Sequence, residues 1–389
     1  MRAKPSGTGW IVITVAQPEA SLPPQGQRVT PATAQFLPKI VSPNSAPAIA
    51  TEPAAHNYRL VGLDVSVAPG VKLNYGIVTL GDGSSAQNSL TLVPTDIVID
   101  RCYIHGDVHQ AVVRGVALNS ARTAVIDSYI SEIHAPGQDS QALCGWNGPG
   151  PFKIANNFLS ASTENVMFGG AFGAIPEIVP SDIEIVGNHL YKKSSWLSTD
   201  PNYGGDSWSI KNLLELKNAR RVLITENLFD QGLKGYAILL TVRTQRGQMP
   251  WNVVEDVTVA NNQLRHIGGG INILARDDEG NYTGITQRIR IENNLFEDID
   301  AKRWSGSGWA YLILGGPPEI QIDHNTAAQS ASCTVYADGS STTGVGFEYT
   351  NNIAKGNICG SNFGPGKATL ARYFPGSFVT NNILAGAEA

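Results

Sequence analysis

Charge is what this chain has least of. Asp, Glu, Lys and Arg together make up 16% of its 389 residues. Their balance is −5 at pH 7 with an isoelectric point near 5.8, so the basic footprint that a nucleic-acid binder needs is missing. No apolar run approaches the ~18–20 residues of a membrane-spanning helix, and no long amphipathic helical pattern stands out. There is no HxxEH-like metal motif, no CxxC and no Gly-rich nucleotide loop. Cysteines number four, at 102, 144, 333 and 359. What the chain does have is 41 Gly and many β-branched residues, a composition suited to stacked strands joined by turns.

The strands announce themselves by repetition. DVTVANNQL (Asp256–Leu264) is one copy of a unit that recurs as PFKIANNFL, DIEIVGNHL, RVLITENLF, RIRIENNLF, EIQIDHNTA, FEYTNNI and FVTNNIL. Each is an apolar alternation of period two, then an Asn, then another apolar residue, the pattern of a half-buried strand. The Asn positions are 157, 188, 227, 262, 294, 325, 352 and 382, separated by 31, 39, 35, 32, 31, 27 and 30 residues. Fixed phase with loose spacing describes a constant rung with loops of variable length, hence a solenoid. DIVIDRCYI and TAVIDSYI continue the rungs upstream, with Cys102 and Ser128 in the Asn slot. A second strand follows each rung, at 115–120, 142–148, 164–170, 212–218, 236–243, 270–276, 310–316 and 333–339. Two or three strands per coil predict an all-β fold, a right-handed parallel β-helix of roughly ten coils. The rung Asn reads as a structural ladder of stacked amides.

Residues 1–56 are rich in Pro, Ala and Ser and predict an irregular first coil or wrapping segment, with a strand at 39–41. Residues 57–389 predict one continuous β-helix. WIVITVA (Trp10–Ala16) is short and β-branched, a strand and not a signal peptide. The chain opens directly on a strand and stops a few residues after its last rung without a polar cap. Solenoids need capped ends, so an internal piece of a longer protein is expected. Cys333 and Cys359 lie in similar phase on adjacent coils, about one inter-strand step (roughly 5 Å) apart. A disulfide is within reach there, two free buried thiols being the alternative. Cys102 and Cys144 differ in phase and are not expected to pair.

DIVIDRCYIHGD, QALCGWNGPGPFKI, ENVMFGG, KNLLELKNARRV, AILLTVRTQ, GINILARDD and NNLFEDID resemble a group of bacterial, secreted β-helix repeat proteins of unassigned activity. That group lies within the pectate-lyase-like superfamily, and the resemblance runs from Trp10 to the C-terminus. It implies a secreted or cell-surface protein whose export signal lies outside this sequence. Members of the group read NLFELKN and TVRNQ where this chain has Leu214 and Thr244. The second departure removes an amide beside a candidate site. The superfamily holds lyases, hydrolases, tailspikes and non-enzymatic binders, so the fold leaves the chemistry open.

Inward side chains fill a β-helix core, so ligands meet the outward ones. Period two turns Glu215 and Lys217 outward beside Leu214 and Leu216, and Arg243 outward beside Val242. It places Arg276 and Asp277 at a strand exit and Glu164 at a strand entrance. These residues predict a mixed-charge stripe, with Trp146 and Asn147 at one end. A long insertion (191–211) adds Trp208 and Lys211, and the loop after Arg243 adds Gln245 and Trp251. Carboxylates and cations grip sugar hydroxyls or uronates, and indole faces suit sugar rings; ordinary ion-pair ladders are the bland alternative.

The expected partner is therefore a polysaccharide, with no nucleic acid or membrane and a monomeric chain. The expected activity is cleavage of an acidic polysaccharide, a lyase favoured over a hydrolase. Glu215, Lys217, Arg243 and Asp277 are its candidate catalytic groups. A lyase takes a proton beside a uronate and stabilises the enolate with positive charge, which Lys217 or Arg243 would supply. A hydrolase needs two carboxylates, with Glu164, Glu215 and Asp277 available, but the paired-Asp motif of polygalacturonases is missing. No cofactor is expected, although the RDDEGN loop (276–281) carries hard oxygen ligands of the kind calcium takes. The alternative is a non-catalytic carbohydrate-binding or adhesion β-helix. The turn histidines 105, 134, 266 and 324 read as structural.

Overall fold

The computed structural model describes residues 1–5, 7–16, 22–280, 283–339 and 342–387. The chain divides into two compact units, Met1–Ile210 and Lys211–Ala389. Both are wound alike. Successive strands go to a first, a second and a third parallel sheet in turn, and each strand pairs with its counterpart one coil away. Each unit is thus a right-handed parallel β-helix.

All three sheets contribute to each core, and the first shows the stacking plainly. In the N-terminal unit Leu60, Ile99, Val125, Ile154 and Ile185 stack in register on successive strands, none more than 1% exposed. In the C-terminal unit Ile224, Val259, Ile291, Ile322 and Tyr349 do the same. Burial of each such side chain is worth about 1.5–3 kcal/mol, and the alternation in strands such as Ser181–Val186 leaves every second residue to water.

The corner between the first and second sheets explains the repeated Asn. In the C-terminal unit the backbone N–H and Nδ2 of Asn262 both donate to Oδ1 of Asn294, at 2.9 Å each. Asn294 donates in the same way to Asn325, Asn325 to Asn352 and Asn352 to Asn382. In the N-terminal unit the file runs Cys102, Ser128, Asn157, Asn188, the Ser128 hydroxyl accepting from the Cys102 N–H at 3.0 Å. The residue before each rung position has positive φ, among them Arg101, Asp127, Asn156, Asn261, Asn293, His324 and Asn351. In the common Asn-Asn doublet, then, the first Asn turns the chain through the left-handed region, which Asn tolerates, and the second joins the ladder.

The N-terminal segment is more ordered than its composition suggests. Ile11–Thr14 pairs with His56–Val61, Lys39–Ser42 with Asp64–Val67, and Ile49–Ala50 with Val78–Leu80. Residues 22–37 wrap the corner of later coils: Val29 N–H donates to Asp127 O, and Arg28 donates to Asn156 Oδ1 and Gly187 O. Cys333 and Cys359 form the disulfide, with Cα atoms 5.8 Å apart; Cys102 and Cys144 are free and buried. Among the described residues no helix is long and apolar enough to cross a membrane.

Candidate functional site

The expected site residues fall in both units. Trp146, Asn147, Glu164 and Trp208 belong to the N-terminal one. Trp146 packs its ring on Gly83, where an added Cβ would lie 2.0 Å from the indole. Its Nε1 donates to Gly83 O at 3.2 Å, and the Arg114 guanidinium stands 4.9 Å from its centroid. Asn147, expected on the outer flank, is instead wholly buried, its Nδ2 donating to Asp82 O and Gln87 O and its Oδ1 accepting from Ile175 N–H. Glu164 is also wholly buried, accepting from Gln141 Nε2 at 2.9 Å. Neither presents surface to a polymer. Nearby, Lys192 donates its ammonium to the carbonyls of Ala161, Ser162 and Thr163 and to Asn165 Oδ1. Burial pushes the Lys192 pKa down to about 7, against the opposing pull of Glu164. Trp208 stacks on the buried ring of His134 at 4.0 Å, so the insertion docks on the helix body.

The C-terminal unit brings the candidate catalytic groups together on the outer face of its third sheet, built from Leu214–Leu216, Ile238–Thr241, Ile271–Leu274, Tyr311–Leu314, Cys333–Asp338 and Asn357–Gly360. Leu214, Leu216, Ile238, Leu240, Ile271 and Ile273 point inward and are fully buried. Glu215 Oε1 accepts from the Thr241 hydroxyl at 3.1 Å and lies 3.5 Å from Lys217 Nζ, so these three share the outward face. Arg243 N–H donates to Lys217 O, and its guanidinium reaches Asp277 at 3.3 Å and Asp278 at 2.6 Å.

Asp277 is the anchor of this side. Its Oδ2 accepts from both the N–H and the hydroxyl of Thr244, and its Oδ1 from Glu279 N–H at 3.1 Å. Burial alone would raise its pKa; the Thr244 donors, the Glu279 N–H and Arg243 outweigh that and hold it below the ordinary carboxylate value. Lys211 and Arg276 are exposed, and Gln245 and Trp251 are half-buried. Gln245 has φ 52° in the turn after Thr244, and the Trp251 Nε1 has no hydrogen-bond partner. Among the described residues no three His, Cys, Asp or Glu side chains converge as a metal site; Asn281, the last residue of the RDDEGN loop, lies outside the described residues.

Beside this ion-pair cluster the surface opens into a concavity of about 610 Å³. It is lined by the apolar Leu274 and Leu314, by the polar Arg276, Asp277, Asp278, Asp338 and Thr342, and by Gly280, Gly315 and Gly339. Gly339 is needed there: at φ 117°, a Cβ would lie 2.7 Å from Gly315 N. Further along the same face Asn272 sits in register between Leu239 and Leu312 with its Oδ1 unpartnered, and the next residue in that row, Tyr336, stacks on Trp309 at 4.0 Å. Asp338, Thr342, Tyr336 and Trp309 escaped the sequence reading. Asp338 and Tyr336 were reachable by the same period-two rule that picked Glu215, extended to the later coils.

Neither a protein-family model nor a curated protein sequence matches the chain. Among solved structures it is similar to the Pseudomonas phage phi297 tailspike, at 14% identity and TM-score 0.34, over 79% of this chain and 47% of that one. It is similar to the Azotobacter vinelandii mannuronan C-5 epimerase AlgE6 A-module, at 12% identity and TM-score 0.30, over 92% of each chain. It is similar as well to PfbA, a surface adhesin of Streptococcus pneumoniae, at 10% identity and TM-score 0.32, over 92% of this chain and 87% of that one. The chain thus spans less than half of the tailspike. Likenesses this distant do not bear on what the chain binds. Its architecture rests on its own sheets, and both of its units are right-handed parallel β-helices.

Proposed function

We propose that the chain is a carbohydrate-binding β-helix protein that holds a polysaccharide on the outer face of the third sheet in its C-terminal unit, without cleaving it. The observation that carries this reading is the open concavity beside Arg243 and Asp277. Its lining leucines, Leu274 and Leu314, suit the apolar face of a sugar ring, and the Arg276, Asp278, Asp338 and Thr342 side chains suit its hydroxyls. Its volume is in the ordinary range for ligand sites. Tyr336 and Asn272 extend the same face.

The expected cleavage is less well supported than binding. A lyase on an acidic polymer needs positive charge to spare for the enolate. Here Lys217 stands against Glu215, and Arg243 is engaged by Asp277 and Asp278. A hydrolase needs a carboxyl that keeps its proton, and Asp277 is biased the other way. The paired charges also favour a neutral or weakly charged polymer over a polyuronate.

The test is incubation with a panel of neutral and uronic-acid polysaccharides, with binding followed by affinity electrophoresis and products by absorbance and reducing ends. Retardation without products, weakened about tenfold by Arg276→Ala with Asp338→Ala, is expected. Unsaturated products would restore the lyase, new reducing ends alone the hydrolase. No retardation by any polymer would end the reading.

A further inference from the structure

The N-terminal unit encloses a lysine amine beside a carboxamide. Lys192 follows the strand His189–Tyr191, and Asn165 lies in the strand Glu164–Phe168 of the preceding coil. Lys192, Asn165 and Glu164 are each 0% exposed. A lysine is almost never fully buried without a paired charge. The partners of this one are the carbonyls of Ala161, Ser162 and Thr163 and the Oδ1 of Asn165, all four of them neutral oxygens.

Asn165 is held one way round. Its Nδ2 donates to Leu159 O at 2.5 Å and to Tyr191 O at 3.0 Å, which turns Oδ1 to Lys192 Nζ at 3.3 Å. An amine in contact with a carboxamide oxygen is adjacent to the carboxamide carbon, the arrangement from which aminolysis starts. Burial lowers the Lys192 pKa to about 7, so near neutral pH much of the side chain is the uncharged nucleophile. The charge of Glu164 acts on the same ammonium, which gives the pair an acid–base group. The chain already joins adjacent coils in its C-terminal unit, where the Cys333–Cys359 disulfide spans 26 residues. Asn165 and Lys192 also lie on adjacent coils, 27 residues apart.

We propose that Lys192 and Asn165 form an intramolecular amide, a spontaneous covalent crosslink between adjacent coils of the N-terminal unit. The Nζ lone pair adds to Cγ of Asn165 and forms the new C–N bond. The Cγ–Nδ2 bond breaks, and Nδ2 leaves as ammonia with the proton that Nζ gives up. Glu164 carries that proton from one nitrogen to the other. No oxidant, metal or second substrate enters. The product exchanges a buried ammonium for a neutral amide, which removes the cost of holding a charge away from water. It also fixes the root of the insertion that begins at Tyr191. The crosslink does not depend on the polysaccharide groove.

The experiment is the intact mass of the folded chain after reduction of its disulfide. A deficit of one ammonia, about 17 Da, from the sequence mass is expected. Chymotrypsin, cutting at Phe168 and Phe172, should then release the segments that carry Asn165 and Lys192 still joined. Asn165→Ala and Lys192→Met should each show the full sequence mass, while Asn165→Asp should lose one water, about 18 Da, by the same attack. Glu164→Gln should leave part of the chain uncrosslinked, and complete crosslinking in that variant would overturn the role of Glu164. Asn165→Ala keeps the amine free, and the pH dependence of a free Lys192 is read in that background. An unsubstituted chain at its full sequence mass, or an ammonia loss that maps to peptides without Asn165 and Lys192, would overturn the crosslink and leave the groove reading standing.

Discussion

Thr244 donates both its backbone N–H and its hydroxyl to the same oxygen of Asp277, each at 2.7 Å. The contact ties the loop after one third-sheet strand to the loop after the next, and so shapes the wall of the proposed groove. Asp277→Asn should destabilise the chain by roughly 2–3 kcal/mol at pH 7, because one acceptor of charge-assisted bonds is replaced by a donor. Its native pKa is depressed, so its contribution is full above the ordinary value of 3.8 and is lost as pH falls through the lower native value. Denaturant melts from pH 7 to pH 2 should show the two proteins converging only at the acid end.

The ladder predicts a larger loss in the core. Asn294→Ala removes the acceptor for two donors of Asn262 and the donor to Val259 O and Glu292 O. Buried groups left unpaired cost about 1–3 kcal/mol each, so a loss of about 3 kcal/mol or more is expected. Asn293→Ala, at the left-handed residue just before it, should cost only about 1–2 kcal/mol from backbone strain. Equilibrium unfolding of the two variants side by side decides whether the second Asn of the doublet is the structural one.

As a free amine, Lys192 gives a pH dependence of the same sense in a different window. Its native pKa, about 7, lies below the ordinary lysine value of 10.5. Between those values the unfolded chain binds a proton that the folded chain does not, so stability from this group rises with pH across that window. Lys192→Met should flatten the rise between pH 7 and pH 10. A parallel slope in both proteins would assign it to other groups.

The disulfide closes a separation of 26 residues, for which chain-entropy arguments give about 3 kcal/mol. A Cys333→Ala, Cys359→Ala double variant should lose an amount of that order in a denaturant melt, and added reductant should not destabilise it further.

How much of this was legible beforehand differs by level. Apolar alternation followed by Asn located the rungs, and the inward and outward assignment of Leu214, Glu215, Ile238 and Ile271 holds. Cys333 and Cys359 were correctly placed within reach. Exposure was not legible, because period two says which face a side chain takes and not what covers that face. Glu215 and Thr241 point outward yet are 5% and 3% exposed, and Glu164 is enclosed altogether. Nor did the sequence show what Thr244 does. Read as the loss of an amide, it instead supplies two donors to one carboxylate. The approach of Lys192 to Asn165 was invisible for a similar reason, since a contact between adjacent coils appears only once the strands are paired.

The proposed groove places a polysaccharide on the outer face of the third sheet in the C-terminal unit. Hydrogen–deuterium exchange with and without a polymer that binds tests it most directly. Slowed exchange is expected in peptides covering 271–280 and 311–316, with the second-sheet strand Gln263–Ile267 of the same unit unchanged. Protection confined to other segments, with 271–280 and 311–316 exchanging as in the free protein, would contradict it.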